Sequence, residues 1–300
     1  YRLLNQTLGL PASFQRINQL TGSIDFVVDF TRDVTKAVEQ DGPNAIESVD
    51  ADIVFSNVRF DRGEQNILRN INLKIEHQKT IGIVGESGAG KTTFFNLLTG
   101  LLDPSEGEIT VDGLDYRTLA RASLRRLIGY VPQDPVIIND TIANNICLYA
   151  GDPETPDCRE KIIAAARAAN CESFLQNTPD GLDTMVGDRG MRLSGCQRQR
   201  IPIARELFND PHLLIFDEAT SALDGQSEAY VQDSIDRLHG QRTIVIIAHR
   251  LSTMRRCDWL YVFEGGTVIE QGGFNELYDK SDSTFRRMCE QQGVRPLDAA

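Results

Sequence analysis

Residues 85–92 read Gly85-Glu86-Ser87-Gly88-Ala89-Gly90-Lys91-Thr92, and Thr93 follows. The pattern is a glycine, four intervening residues, then glycine, lysine and a hydroxyl residue. TIGIVG (80–85) precedes it, with the length of a buried strand, and TTFFNLLTG (92–100) follows it with helical character. The glycines let successive backbone N–H groups curve round a phosphate, and the helix presents its positive end to the same place. Lys91 is placed to neutralise β and γ phosphates, and Thr92 to offer its hydroxyl to Mg²⁺. A chance glycine-rich turn is the competing reading. A full match between a strand and a helix argues against it and predicts nucleotide binding.

Further along the chain, LLIFDE (213–218) and TIVIIAH (243–249) are continuous apolar runs that end in polar residues. Such runs suit strands buried on both faces of a largely parallel sheet covered by helices. The first run delivers Asp217 to the carboxyl end of its strand, where it can hold the Mg²⁺ shell. Glu218 follows and can orient or deprotonate an attacking water. Ahead of the phosphate loop, DIVFSNVRF (52–60) and ILRNINLKI (67–75) alternate as half-buried antiparallel strands. No comparable strand is expected between about 134 and 210, a region that reads as helices. WLYVFEGG and TVIEQG give the last strands, before a helical end at 275–292.

Residues 1 to about 48 carry apolar positions at helical spacing, among them Phe14, Ile17, Leu20, Ile24, Val27 and Val28. Pro11 interrupts that pattern early, and DGPN (41–44) closes it as a turn. With 41% hydrophobic and 25% charged residues, the 300-residue chain has the composition of a folded protein rather than a disordered one. Its 43 acids against 31 bases give a formal charge of −12, which argues against a nucleic-acid partner. No apolar run approaches the roughly 18 to 20 residues of a membrane span. The six cysteines have no metal spacing and read as reduced thiols.

A phosphate loop alone leaves kinases, GTPases, helicases and transport ATPases open. The ordered set GESGAGKTT, VPQD, LSGCQ, LLIFDE, SALD and IAHR resembles the nucleotide-binding domain of ABC transporters, from about Asp52 to Gln292. TMVGDRG (184–190) looks like the segment that exporter-type members set against their membrane domains. The resemblance implies an α/β fold: a P-loop NTPase (RecA-like) core with an antiparallel β subdomain and an α-helical subdomain at about 134–210. It implies a helical tail or linker from a preceding transmembrane domain at 1–50, an ATPase domain at 51–292 and a tail at 293–300. An ordinary amphipathic extension is the alternative for the first segment.

The resemblance also implies ATP and Mg²⁺ as ligands and a location on the cytoplasmic face of a membrane. Its partners would be a second nucleotide-binding domain, identical or not, and the transmembrane domain of an exporter. Gln133 would sense the γ phosphate, touch Mg²⁺ beside Thr92 and Asp217, and contact the membrane domain. His249 would contact the γ phosphate, and Asp224 would sit at the dimer interface. Taken singly, these three also read as a loop amide, a strand-end histidine and a helix N-cap. Ser194, Gly195, Cys196 and Gln197 would serve the γ phosphate held by the opposite subunit. Ser194 and Gln197 also have the S-x-x-Q spacing of a capping box, and a capped helix start attracts an anion.

The chain departs from the family pattern in three places. Cys196 replaces the second glycine of the signature and brings a Cβ towards the phosphate. Pro202 lies inside the following helix, where it removes a hydrogen bond at a cost of about 3 kcal/mol and predicts a kink. Arg62 stands where an aromatic residue usually stacks on adenine, a role a guanidinium can fill. Slower turnover than with a glycine signature is expected, and a weakly hydrolysing regulatory subunit is the alternative function. An ABC-class DNA-maintenance ATPase would need a long heptad insertion, and short helices fill that interval here.

Overall fold

The computed structural model describes residues 28–31, 41–219, 225–248 and 250–296. The chain divides into two compact units, 1–41 and 42–300. In the first unit, 28–31 form a single helical turn, and the other expected helical positions lie outside the described residues.

The second unit holds two sheets. β1 (Ile53–Arg62) and β2 (Gln65–Ile75) form an antiparallel hairpin. β4 (Glu106–Val111) joins the other edge of β1, and β5 (Leu114–Asp115) extends it, giving the order β2-β1-β4-β5. This is the expected antiparallel region with two further strands. β4 escapes pattern reading because its first three residues are exposed, and β5 is only two residues long.

The larger sheet has the order β10-β9-β3-β8-β7-β6. Its parallel strands are β9 (Trp259–Glu264), β3 (Thr80–Gly85), β8 (Thr243–Ile247), β7 (Leu213–Asp217) and β6 (Ile128–Val131), and β10 (Thr267–Gly272) pairs antiparallel at the edge. Alternate residues of these strands enter two separate cores. Ile81, Ile83, Leu213, Ile215, Val245 and Ile247 face the antiparallel sheet and Phe94. Val84, Leu214, Phe216, Ile244 and Ile246 face the helical side, with Ile162, Ile201 and Ile203. Burial on both faces explains the unbroken apolar runs.

α1 (Lys91–Leu98) follows β3, and α2 (Arg121–Arg126) precedes β6. Between 134 and 210 the described chain is helical, without a strand, as expected. It runs through α3 (Ile142–Cys147), α4 (Pro156–Ala168), α5 (Glu172–Leu175) and α6 (Gly195–Phe208). α6 packs on α3, α4, β6 and α7 (Gly225–Leu238). Pro202 does not interrupt α6, which runs through it as one 14-residue helix. α8 (Phe274–Asp279) and α9 (Thr284–Gln292) close the unit. Among the described residues, no helix is long and apolar enough to cross a membrane.

Candidate functional site

β3 ends at Gly85, and the chain turns there because no side chain stands in the way. A Cβ on Gly85 would come within 2.4 Å of the Phe263 carbonyl oxygen, and one on Gly90 within 2.6 Å of Leu68 Cδ2. Both glycines have positive φ, 154° and 101°, which lets the loop fold tightly against β2 and the β9–β10 turn. Glu86, Ser87 and Gly88 are exposed at the tip and Ala89 is buried beneath them. Gly90 caps α1 without a side-chain acceptor, so the loop and the first turn form a nest of backbone donors.

Lys91 is buried, and its Nζ donates to the carbonyls of Gly85 at 2.6 Å and Glu86 at 2.9 Å. Burial pushes the ammonium below its ordinary pKa of 10.5, and the charges of Glu218 and Asp217 pull it partly back. The lysine therefore lies within electrostatic reach of both carboxylates. Thr92 is exposed on the first turn of α1 and Thr93 is half-buried.

The register of the parallel sheet places the carboxylates. Asp217 lies level with Ile247 of β8, which in turn lies level with Ile83 of β3, two residues before Gly85. Glu218 N donates to the Ile247 carbonyl at 2.7 Å, and Glu218 has φ 51°. A left-handed glutamate carries strain of about 1 to 3 kcal/mol, and such strain gathers where a side chain must be aimed.

Two residues absent from the sequence reading hold this end of the sheet. Tyr130 Oη donates to Asp217 Oδ2 at 3.0 Å, and its ring packs 4.7 Å from that of Phe95 on α1. Burial, then the charge of Asp217, raises the Tyr130 phenol to about 12, so it remains a donor at neutral pH. Gln199 is the second; its amide donates to the carbonyls of Ala219 and Gln133. The signal for Tyr130 is the alternation of IGYV (128–131) just ahead of VPQD, a strand too short to stand out.

Gln133 is exposed in the bend after β6, and Arg62 is exposed at the end of β1 opposite Gln65. Thr92, Gln133 and Asp217 together offer a hydroxyl, an amide oxygen and a carboxylate. These hard oxygen donors suit Mg²⁺, which is held by one or two carboxylates with phosphates completing its shell. Among the described residues, no cluster of three or more His, Cys, Asp or Glu could hold a metal by itself. His249 and Asp224 lie outside the described residues.

The LSGCQ stretch is organised differently. Ser194 is the N-cap of α6, and the capping box is complete: Gln197 N donates to Ser194 Oγ at 3.3 Å, and Ser194 N to Gln197 Oε1 at 2.8 Å. Ser194 and Gly195 are exposed, while Cys196 and Gln197 are half-buried. The Cys196 thiol lies 3.0 Å from Ser194 Oγ and engages its hydroxyl. Among the described residues the cysteines form no disulfide, and the five other than Cys196 are buried.

A family model described as ABC transporter matches residues 68–221. The chain is 40% identical over 282 residues to the putative multidrug export ATP-binding/permease protein YgaD of Bacillus subtilis, covering 93% of this chain and 48% of that protein. It is 42% identical over 280 residues to the ATP-dependent lipid A-core flippase of Escherichia coli K12, covering 93% and 47%. Among solved structures, a bacterial Atm1-family ABC exporter with ATP bound superposes with a TM-score of 0.78 at 37% identity, covering 92% of this chain and 48% of that one. The chain spans about half the length of the relatives it matches.

Proposed function

The chain belongs to the ABC transporter family, and from that membership we propose that it is the ATP-hydrolysing motor of an exporter. Two such domains, identical or not, close around two ATP molecules at the cytoplasmic face of a membrane and pass that motion to transmembrane helices. The observation that carries this reading is the buried Lys91 ammonium, set inside a glycine-rich loop within reach of Asp217 and Glu218.

Residues Gly85 to Thr93 cradle the triphosphate through backbone N–H groups, with Lys91 exchanging its carbonyl partners for phosphate oxygens. Arg62 stacks on adenine. Thr92, Asp217 and Gln133 would hold Mg²⁺, and Tyr130 fixes the Asp217 carboxylate through its hydrogen bond. When bound, Mg²⁺ would supply charge neutralisation to the triphosphate. Glu218 orients the attacking water and takes its proton, and His249 contacts the γ phosphate. Ser194, Gly195, Cys196 and Gln197 reach the ATP of the opposite domain, with Asp224 at the seam between them. TMVGDRG (184–190) and the Gln133 loop face the membrane domain, with Met185 exposed in the former.

Phosphate release tests the reading. The native chain should hydrolyse ATP with Mg²⁺, and Glu218→Gln should lose about 10²- to 10⁴-fold in rate while still binding ATP, as expected for removal of a general base. A Glu218→Gln chain with native turnover would contradict the assignment. The thiol at Ser194 Oγ favours slow turnover, the property shared with a regulatory subunit.

A further inference from the structure

Gln199 lies on α6 five residues beyond Ser194 and is 6% exposed. Its Nε2 donates to the Ala219 carbonyl at 2.6 Å and to the Gln133 carbonyl at 3.4 Å. A primary amide carries two N–H donors, so one side chain serves both carbonyls. Ala219 adjoins Glu218, and Gln133 is the proposed γ-phosphate sensor. The helix that offers its start outward is therefore fastened, at its second turn, to both segments that attend the nucleotide of its own chain.

The neighbouring Arg200 keeps the helix from yielding locally. It donates to the Asn170 carbonyl at 2.6 Å, to Ser173 Oγ at 2.9 Å and to the Cys196 carbonyl at 3.2 Å. Its guanidinium also lies 4.9 Å from the ring centre of Phe174 and 4.8 Å from that of Tyr230. α5, α6 and α7 are thereby clamped together, so a displacement at Ala219 or Gln133 is carried along α6 to Ser194.

We propose that Gln199 is a positioning residue that couples the two nucleotide sites of the dimer. It ties the Gln133–Glu218 end of one site to the helix start that serves the other. The inference rests on the exporter reading above. A buried hydrogen bond left unmade is worth about 5- to 150-fold in an equilibrium. A shift of Ala219 or Gln133 that left the amide behind would incur that factor, so the helix follows.

Gln199→Leu in the full chain removes both donors and leaves an apolar side chain of similar size. Without nucleotide, amide exchange at residues 133, 134 and 136 and at Glu218 should accelerate roughly 5- to 150-fold. With ATP, the Hill coefficient for hydrolysis should fall from above 1 to about 1. Under the same conditions kcat should drop about tenfold, and KM should move less than about twofold. A merely structural role would shift melting and leave the Hill coefficient alone. Native exchange in both segments, or native cooperativity and kcat, would overturn the proposal, as would a wild-type Hill coefficient of 1. If the wild-type chain hydrolyses no ATP, the exporter reading fails, and the exchange measurement still decides whether the tether exists. Should the leucine variant not fold, Gln199→Asn, one methylene too short to span both carbonyls, is read by the same measures.

Discussion

The carboxyl edge of the parallel sheet and the start of α6, the two regions proposed to bind phosphate, are built in opposite ways. At the sheet edge the groups converge. Strand register brings Asp217 and Glu218 level with the end of β3, and Lys91 is buried among backbone carbonyls. At α6 the groups diverge: Ser194 and Gly195 point outward, and the helix satisfies its own N-terminus through the capping box. The first region gathers its described groups from a single chain. The second is a capped helix start exposed at the surface, the arrangement that the proposed sandwich of two domains requires.

The largest expected effect lies at the convergent region. Lys91→Ala removes charge-assisted hydrogen bonds worth about 1.5 to 3 kcal/mol each and should weaken ATP binding about 10- to 150-fold by equilibrium titration. Leaving α6 intact, it should not change the thermal stability of the helical region. The same ammonium predicts a pH dependence. Its pKa is lowered in the free protein, chiefly by burial, and phosphate favours its charged form. ATP affinity should stay constant below that lowered value and fall as pH rises through it. An affinity independent of pH up to 10.5, the ordinary value, would contradict the burial argument.

Tyr130→Phe is next in size. It removes the donor on Asp217 while keeping the ring that packs on Phe95. The Mg²⁺ concentration for half-maximal hydrolysis should rise about tenfold, the scale of one hydrogen bond to a charged group. ATP binding without Mg²⁺ should be unchanged. Equal Mg²⁺ requirements in the two proteins would remove Tyr130 from the site.

Cys196→Gly should have a smaller effect, now at the divergent region. It frees the Ser194 hydroxyl from the thiol and deletes the Cβ nearest the approaching phosphate. Turnover should rise about two- to fivefold, against a helix-propensity cost of at most about 1 kcal/mol. An unchanged or lower rate would show that the thiol does not limit the signature.

The same contrast governs what could be read without coordinates. TIGIVG, LLIFD and TIVII were legible because strands buried on both faces leave a continuous apolar record. The glycine turn before α1 and the place of Asp217 at the end of β7 were legible because their pattern is confined to a few adjacent residues. β6 was not, since its four residues alternate between buried and half-buried. Tyr130 and Gln199 were not, because each acts through a tertiary contact: Tyr130 on a residue 87 positions away, Gln199 on residues 20 and 66 positions away. The left-handed backbone of Glu218 is likewise not announced by its residue type. At Pro202 the helix runs on as one element, packed on three neighbouring helices.

Gly195 offers the sharpest test of an outward-facing site. It is exposed at the first position of α6, and a Cβ there would meet nothing within 4 Å. Aspartate at that position favours the helix of its own chain, yet it sets a carboxylate against any phosphate presented by another copy. Sedimentation of Glu218→Gln with ATP and Mg²⁺ should give a dimer. Adding Gly195→Asp should leave ATP bound and melting unchanged or raised, but return the protein to monomer. A dimer that survives the aspartate would contradict the account.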